Sequence, residues 1–318
     1  MSSFRTQLRC GLWAGAKKGQ GSFVWICRII IPVSFLVTLV RWGGLLNQVD
    51  ALLSPLMGLI NLPGEAALPI LTGALVSFYA AIAIITTLPF TLEQMTLIAV
   101  FLLVAHELVM EGIIQRKCGI GITKIVLVRI TAAILAVLVV SQFFGDTTRS
   151  VVVPSTLAVA TPFVEVLKTW ALDMVWLLIR ILVIIMTVMM ALESMKSLGW
   201  TEYLLRFFRP VMRVLGLPER TAVLWVPAAL FGLVYGGAVI IEESKRGALT
   251  KEELERLHIS IGINHSMVED PALFLALGLN GFWLLVPKFV TAVIAVQVYG
   301  AVKYLRKEVA PRWIARGR

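Results

Sequence analysis

Charge is scarce in this sequence, and that scarcity excludes most soluble folds. Asp, Glu, Lys and Arg make up 15% of the 318 residues, against 58% apolar ones. Soluble domains run near 25% charged and 45–50% apolar. A soluble core cannot hide this much apolar surface, so the solvent is lipid. Strict alternation of apolar and polar residues is missing too, which excludes the strands of an outer-membrane barrel. The apolar runs are long and continuous and read as helices. Cysteine is sparse: Cys10, Cys27 and Cys118 share no metal-ligand spacing and read as free thiols rather than a disulfide framework. No small-residue cleavage site follows a short apolar core at the N-terminus, so no removed signal peptide is expected. Nucleophile elbow, dinucleotide fingerprint and phosphate loop are absent. "KCGIGITK" (117–124) lacks the Lys-Ser/Thr ending of a P-loop, and "HELVME" (106–111) lacks the second His of a zinc-protease helix. No enzyme activity and no cofactor are expected.

The charges that are present are mostly basic, with a net charge of +10. They gather in loops and at the termini, as Lys and Arg do on the cytoplasmic side of a membrane. Nucleic-acid binding would need a basic, aromatic-studded soluble face, and there is none. Residues 1–19, with Arg5, Arg9, Lys17 and Lys18, read as a basic cytoplasmic or interfacial segment, and 306–318 as a basic cytoplasmic tail. The expected location is a prokaryotic inner membrane, crossed several times, with both termini cytoplasmic.

The chain is duplicated. His106 and His265 stand 159 positions apart, and the same offset pairs Glu111 with Asp270, Arg129 with Lys288, Gly119 with Gly278, Thr91 with Thr250 and Glu93 with Glu252. Upstream, "FYAAIAI" (78–84) matches "VYGGAVI" (234–240), pairing Tyr79 with Tyr235, and "SPLMGLINLP" (54–63) matches "RPVMRVLGLP" (209–218). The apolar helix holding Arg28 matches the one holding Arg180. Repeat 1 spans about 20–143 and repeat 2 about 168–305, with a connector at 144–167. Internal repeats mark many transporter folds.

Charge placement orients the repeats. The first apolar helix, about 22–42, leaves a basic N-terminus and is followed by 43–65, which contain no Lys or Arg. Its partner, about 170–194, is followed by Lys196, Arg206, Arg209, Arg213 and Arg220. The same unit therefore enters from opposite sides, and the repeats are inverted. Inversion needs an odd number of crossings per repeat, so one of four apolar segments must be re-entrant. The small-residue stretches 66–88 and 221–242 suit a tight helical hairpin, and with the hairpin there every basic cluster falls on one side. Residues 43–62 and 197–217 read as amphipathic interfacial helices. The expected fold class is an all-α integral membrane protein: an inverted-topology repeat with interfacial helices, re-entrant helical hairpins and broken transmembrane helices.

Ionisable groups sit where lipid-spanning helices should be greasy. The stretch "VAHELVMEG" (104–112) carries His106, Glu107 and Glu111, and "INHSMVEDP" (263–271) carries Asn264, His265, Ser266, Glu269 and Asp270. Gly112 and Pro271 hold matching places and are expected to weaken helices 94–114 and 257–279 there. Such groups are costly inside a membrane and usually face a cavity or a partner. Inverted symmetry would bring both breaks to the midplane as a substrate or ion site. Arg129 and Lys288 read as charge partners of the carboxylates or as snorkelling residues, and Tyr79 and Tyr235 as ligand contacts near the hairpin tips. Alternatively the same polar groups are glue between helices. Two His with several carboxylates also suit a divalent metal.

Helix, interfacial helix with "LP", small-residue hairpin and broken polar helix together resemble the nucleoside-recognition, or Gate, domain family. The resemblance covers about 20–305, as two fused Gate domains. That family is similar to spore maturation proteins and to the membrane parts of concentrative nucleoside transporters and ferrous-iron transport protein B. The resemblance implies a transporter whose hairpins and broken helices meet at a midplane site, with 104–112 and 263–271 as the broken helices. This sequence departs from nucleoside transporters in carrying His at both breaks, and from the iron transporter in lacking a cytosolic GTPase. The first expectation is a secondary transporter of a small polar solute or ion. The alternatives are a non-transporting scaffold or assembly factor of the spore-maturation type, and a metal-ion transporter or metal-dependent membrane enzyme. The expected partners are the lipid bilayer, the solute or ion, and a second copy of the chain as a homo-oligomer.

Overall fold

The computed structural model describes residues 4–149, 162–233, 240 and 249–315. The fold is helical, with no strand among these residues. Five helices are long and apolar enough to cross a membrane: Phe4–Trp42, Leu92–Lys117, Ile122–Ser141, Phe163–Ser197 and Gly281–Leu305.

Helix α1 (Phe4–Trp42) has 39 residues and α8 (Phe163–Ser197) has 35. At 1.5 Å per residue they reach about 58 and 52 Å, well beyond a hydrocarbon core of about 30 Å. They pack antiparallel along their length. Gly11 faces Ser194, Gly15 faces Met190 and Gly19 faces Met186. Farther along, Trp170 Nε1 donates to Ser34 Oγ at 2.9 Å, and the rings of Trp42 and Phe163 lie 5.1 Å apart. Glycine at every fourth position lets two backbones approach closely, which is how helices associate when lipid supplies no hydrophobic drive.

Residues 4–19, expected as a segment apart, are therefore the first turns of α1, and no break separates 19 from 20. The stripe of glycines explains the continuity: it gives these turns a partner in α8, to which Lys18 Nζ also donates, on Glu193 Oε1 at 2.6 Å. The connector expected at 144–167 overlaps the start of α8, and its residues 150–161 lie outside the described ones.

The glycine packing is testable with two conservative variants. A Cβ on Gly15 would collide with the backbone of Met190, whereas one on Gly21 meets nothing within 4 Å. Gly15→Ala is expected to cost about 1–3 kcal/mol through overpacking. Gly21→Ala should stabilise by up to about 1 kcal/mol through helix propensity. Thermal unfolding in detergent reads both, and equal shifts would contradict the close approach of α1 and α8.

The rest of the chain lays out matching elements. Helices α2 (Leu46–Gly58) and α9 (Thr201–Val214) fall in the stretches expected to be amphipathic, each with an internal proline, Pro55 and Pro210. On α9, Met212 is buried while Arg206, Arg209 and Arg213 are exposed. Each is followed by Leu-Pro and a 3-10 turn, Gly64–Ala66 and Glu219–Thr221. Then come α3 (Ala67–Leu75) and α4 (Phe78–Thr87), which pack on each other, and in the second half α10 (Ala222–Phe231), which ends at Gly232 with φ +84°.

Helices α5 (Leu92–Ala105), α6 (Leu108–Lys117) and α7 (Ile122–Ser141) correspond to α11 (Lys251–Asn264), α12 (Glu269–Ala276) and α13 (Gly281–Ala315). Both α5 and α11 start with a capping box, Thr91 with Gln94 and Thr250 with Glu253. From Thr96 to Ala105 every residue of α5 is buried. A helix apolar on all sides belongs in the centre of a fold. The outward faces of α1, α8 and α13 instead expose Trp25, Trp176 and Ile294, as lipid contact requires. Six spans were expected, three per repeat. The Lys251–Asn264 and Glu269–Ala276 helices, of 14 and 8 residues, are each too short to be among the five, and His265, Glu269 and Asp270 lie at the break between them.

Candidate functional site

The site begins with two interruptions. Helix α5 stops because His106 is extended (φ −94°, ψ 162°) and Glu107 is left-handed (φ 45°, ψ 37°). Helix α11 stops the same way at His265 (φ −71°, ψ 163°), followed by Ser266 at φ 49°. A break at this depth frees backbone donors that must find acceptors. Glu107 N–H donates to Gly73 O at 2.8 Å, and Ser266 and Met267 N–H donate to Ala228 O and Ala229 O at 3.3 and 2.6 Å. The short helices α3 and α10 thus close the breaks.

The interruptions fall at the histidines, inside the stretches 104–112 and 263–271 expected to be broken, but Gly112 and Pro271, expected to weaken the helices there, do not make them. Gly112 lies inside α6, where a Cβ would come 2.7 Å from Ile122 Cγ1. Its smallness serves helix packing. Pro271 lies in the first turn of α12, where its missing N–H leaves no helical hydrogen bond unmade.

Both imidazoles meet in the interior. His106 Nε2 is 3.0 Å from His265 Nε2. Glu111 Oε1 is 2.7 Å from His265 Nε2 and 3.6 Å from His106 Nε2, and Asp270 Oδ2 is 3.4 Å from His106 Nε2. All four residues are buried. On the far side of each ring, Nδ1 faces main-chain carbonyls: Leu102 O at 2.7 Å for His106, and Ile261 O and Gly262 O at 3.1 Å for His265. A carbonyl accepts only, so each Nδ1 carries a proton. The two Nε2 lone pairs of neutral rings would then face each other at 3.0 Å. Only a cation can hold them there, a proton or a metal ion.

Arg129, on α7, is buried rather than snorkelling. Its Nη1 pairs with Glu111 Oε2, Nε donates to Val104 O at 2.9 Å, and Nη2 donates to His106 O at 3.0 Å. The guanidinium therefore both neutralises Glu111 and caps the carbonyl end of α5. Lys288, also buried, on α13 donates from Nζ to His265 O at 2.7 Å and so holds the carbonyl end of α11.

The remaining expected site residues divide. Glu107 Oε1 accepts from Phe78 N at 3.2 Å and so caps the start of α4. Tyr79 donates its hydroxyl to Glu269 Oε1 at 3.0 Å, linking the hairpin stretch of one half to the break of the other. Ser266 Oγ lies beside Gly232, where a Cβ would come within 2.9 Å of it. Asn264 is buried with neither side-chain polar atom hydrogen-bonded. Tyr235 falls outside the described residues. Two polar groups were missed. His258 is fully buried with both ring nitrogens unpartnered, and Gln115 Nε2 donates to His258 O at 3.3 Å. Their signal was present: a histidine seven residues before His265 lies two turns along the same helical face.

A separate cavity of about 630 Å³ opens between α1, α4 and α8, lined in part by Ser34, Thr38, Arg41, Thr87, Asp173 and Arg180. Its lining is mixed, with Trp42, Ile85, Trp170 and Leu177 beside these polar groups.

No protein-family model and no solved structure matches the chain. It is similar to the uncharacterized membrane protein YvoD of Bacillus subtilis (strain 168), at 29% identity over 285 residues, which cover 88% of this chain and 91% of that protein. The long apolar helices and this near full-length likeness agree that the chain is a multi-helix membrane protein.

Proposed function

We propose that this protein is a secondary transporter that moves a small polar solute or ion by alternating access around the contact between His106 and His265. The observation that carries this reading is the contact itself: two imidazoles, one from each half, hold a place for a cation between two buried carboxylates. In this reading the halves are inverted repeats, related by the 159-residue offset that recurs at both breaks. Helices α3 and α4 have nine and ten residues, about 14 and 15 Å, too short to cross a core of about 30 Å. They serve as a re-entrant hairpin, as in the Gate domains the sequence resembles, and the Tyr79–Glu269 bond lets one half sense the other. The basic termini and α9 face the cytoplasm of an inner membrane. No enzymatic step is part of this reading.

A scaffold role draws on a different observation. Helix α9 exposes Tyr203 and Phe207 beside its arginines, a surface that a partner could use. Sidedness of labelling separates the two. With Cys10, Cys27 and Cys118 replaced, Ser266→Cys places one thiol at the break. A membrane-impermeant maleimide is expected to label it in both right-side-out and inside-out vesicles, because a transporter opens its centre to each face in turn. Labelling from one face only, or from neither, would favour the scaffold.

A further inference from the structure

We infer that the cation held at the centre is a divalent transition-metal ion, bound by His106 Nε2, His265 Nε2 and Asp270 Oδ2, with Glu111 Oε1 as the nearest fourth donor. Three facts converge on it. The three ligand atoms lie within 4.8 Å of one another on buried residues. Asp270 Oδ2 accepts no hydrogen bond although the residue is only 6% exposed. Both Nδ1 atoms are anchored to carbonyls, the outer-shell contact that sets a metal-binding histidine to present a bare Nε2.

The spacing fits the ion. Bonds of about 2.0–2.1 Å to nitrogen and oxygen give a tetrahedron with edges of about 3.3 Å. Four of the six edges between donors here are 2.7, 3.0, 3.4 and 3.6 Å, and the edge from His265 Nε2 to Asp270 Oδ2 is longer, within 4.8 Å. Drawing Asp270 toward His265 by about 1 Å, with smaller shifts elsewhere, would centre a metal among them. Imidazole with carboxylate suits zinc and its first-row neighbours, whereas an alkali or alkaline-earth ion would want oxygen alone.

Charge fits as well. The carboxyl groups set inside the fold at the two breaks are those of Glu107, Glu111, Glu269 and Asp270, and the buried basic groups against them are Arg129 and Lys288. With neutral imidazoles and all four carboxyls ionised, the excess would be two negative charges, which a divalent ion would cancel. Three firm ligands and a fourth already engaged by Arg129 also make an open site rather than a closed structural one. Within the proposed transport cycle, this ion is the transported species. That last step rests on the transporter reading; the binding itself does not.

The test is a titration of the purified full-length protein with Co²⁺, whose visible absorption is intense in tetrahedral and weak in octahedral coordination. One equivalent of tetrahedral absorption, displaced by Zn²⁺, is expected. Asp270→Asn and the pair His106→Gln with His265→Gln should each weaken binding by at least ~100-fold, since loss of an outer-shell partner alone costs 10–100-fold. His258→Gln should bind as before. Thermal unfolding of each variant, read alongside, shows that the protein is folded. No absorption from folded wild-type protein would overturn the metal site, as would absorption that survives the double histidine replacement. Absence of metal binding with two-sided labelling of Ser266→Cys would leave the transporter standing with another substrate. Metal binding with one-sided or absent labelling would make the ion a fixed lock and end the transport role.

Discussion

Arg129→Met is expected to destabilise the protein by about 3–5 kcal/mol, the usual penalty for stripping one partner from a buried ion pair. The loss has two parts. Glu111 would keep a buried charge without its guanidinium, and the carbonyls of Val104 and His106 would lose their donors at the end of α5. An orphaned buried polar group costs about 1–3 kcal/mol. The double variant Arg129→Met with Glu111→Gln should recover much of the first part, because a neutral amide no longer demands a counter-charge. Lys288→Met should cost less than Arg129→Met, since Lys288 Nζ holds one carbonyl, that of His265, where Arg129 holds two and a carboxylate. Unfolding in SDS–detergent mixtures would rank the four proteins. Equal losses in the single and double Arg129 variants would assign the arginine's role to capping α5 and none of it to pairing with Glu111.

Arg129 and Lys288 could be paired from sequence because the offset that links them also links His106 with His265 and Glu111 with Asp270. Both prove to hold the main chain of a broken helix. Periodicity located the long helices, the small-residue segments and the two polar breaks, because in lipid a span must be apolar and every polar exception stands out. The exact turn at which each helix breaks was not legible. Proline and glycine were the visible breakers, yet Pro271 starts a helix and Gly112 packs one. The breaks follow from left-handed conformations at Glu107 and Ser266, residues with no intrinsic preference for them. Donation to Gly73, Ala228 and Ala229 secures these turns, and that is tertiary information. The antiparallel seam of α1 and α8 was present as glycines at 11, 15 and 19, but Arg9, Lys17 and Lys18 masked it as a surface segment. Basic side chains and a glycine stripe can share one helix, because one face meets the headgroups and the other meets a neighbour.

Asp270→Asn is expected to separate stability from function. It should leave thermal stability unchanged or raise it, and lower metal uptake into proteoliposomes by at least ~100-fold. The physical reason lies in what each carboxylate already has. Glu111 is held by Arg129 on one oxygen and lies 2.7 Å from His265 on the other. Its charge is compensated, so Glu111→Gln should destabilise. Asp270 Oδ2 has no hydrogen bond, and the nearest positive candidate, His106 Nε2, stands 3.4 Å away. A buried acceptor in that state costs about 1–3 kcal/mol, which an uncharged amide relieves in part. A protein that keeps such a group gives up stability at a place where function uses the strain. The measurement is paired: unfolding temperature of both variants, and filling of vesicles that contain a trapped zinc-sensitive dye. If Asp270→Asn unfolds as early as Glu111→Gln while uptake persists, the aspartate is glue between helices and the ion travels by another route. If it stays folded and uptake stops, the unsatisfied carboxylate is the group that the moving ion was meant to meet.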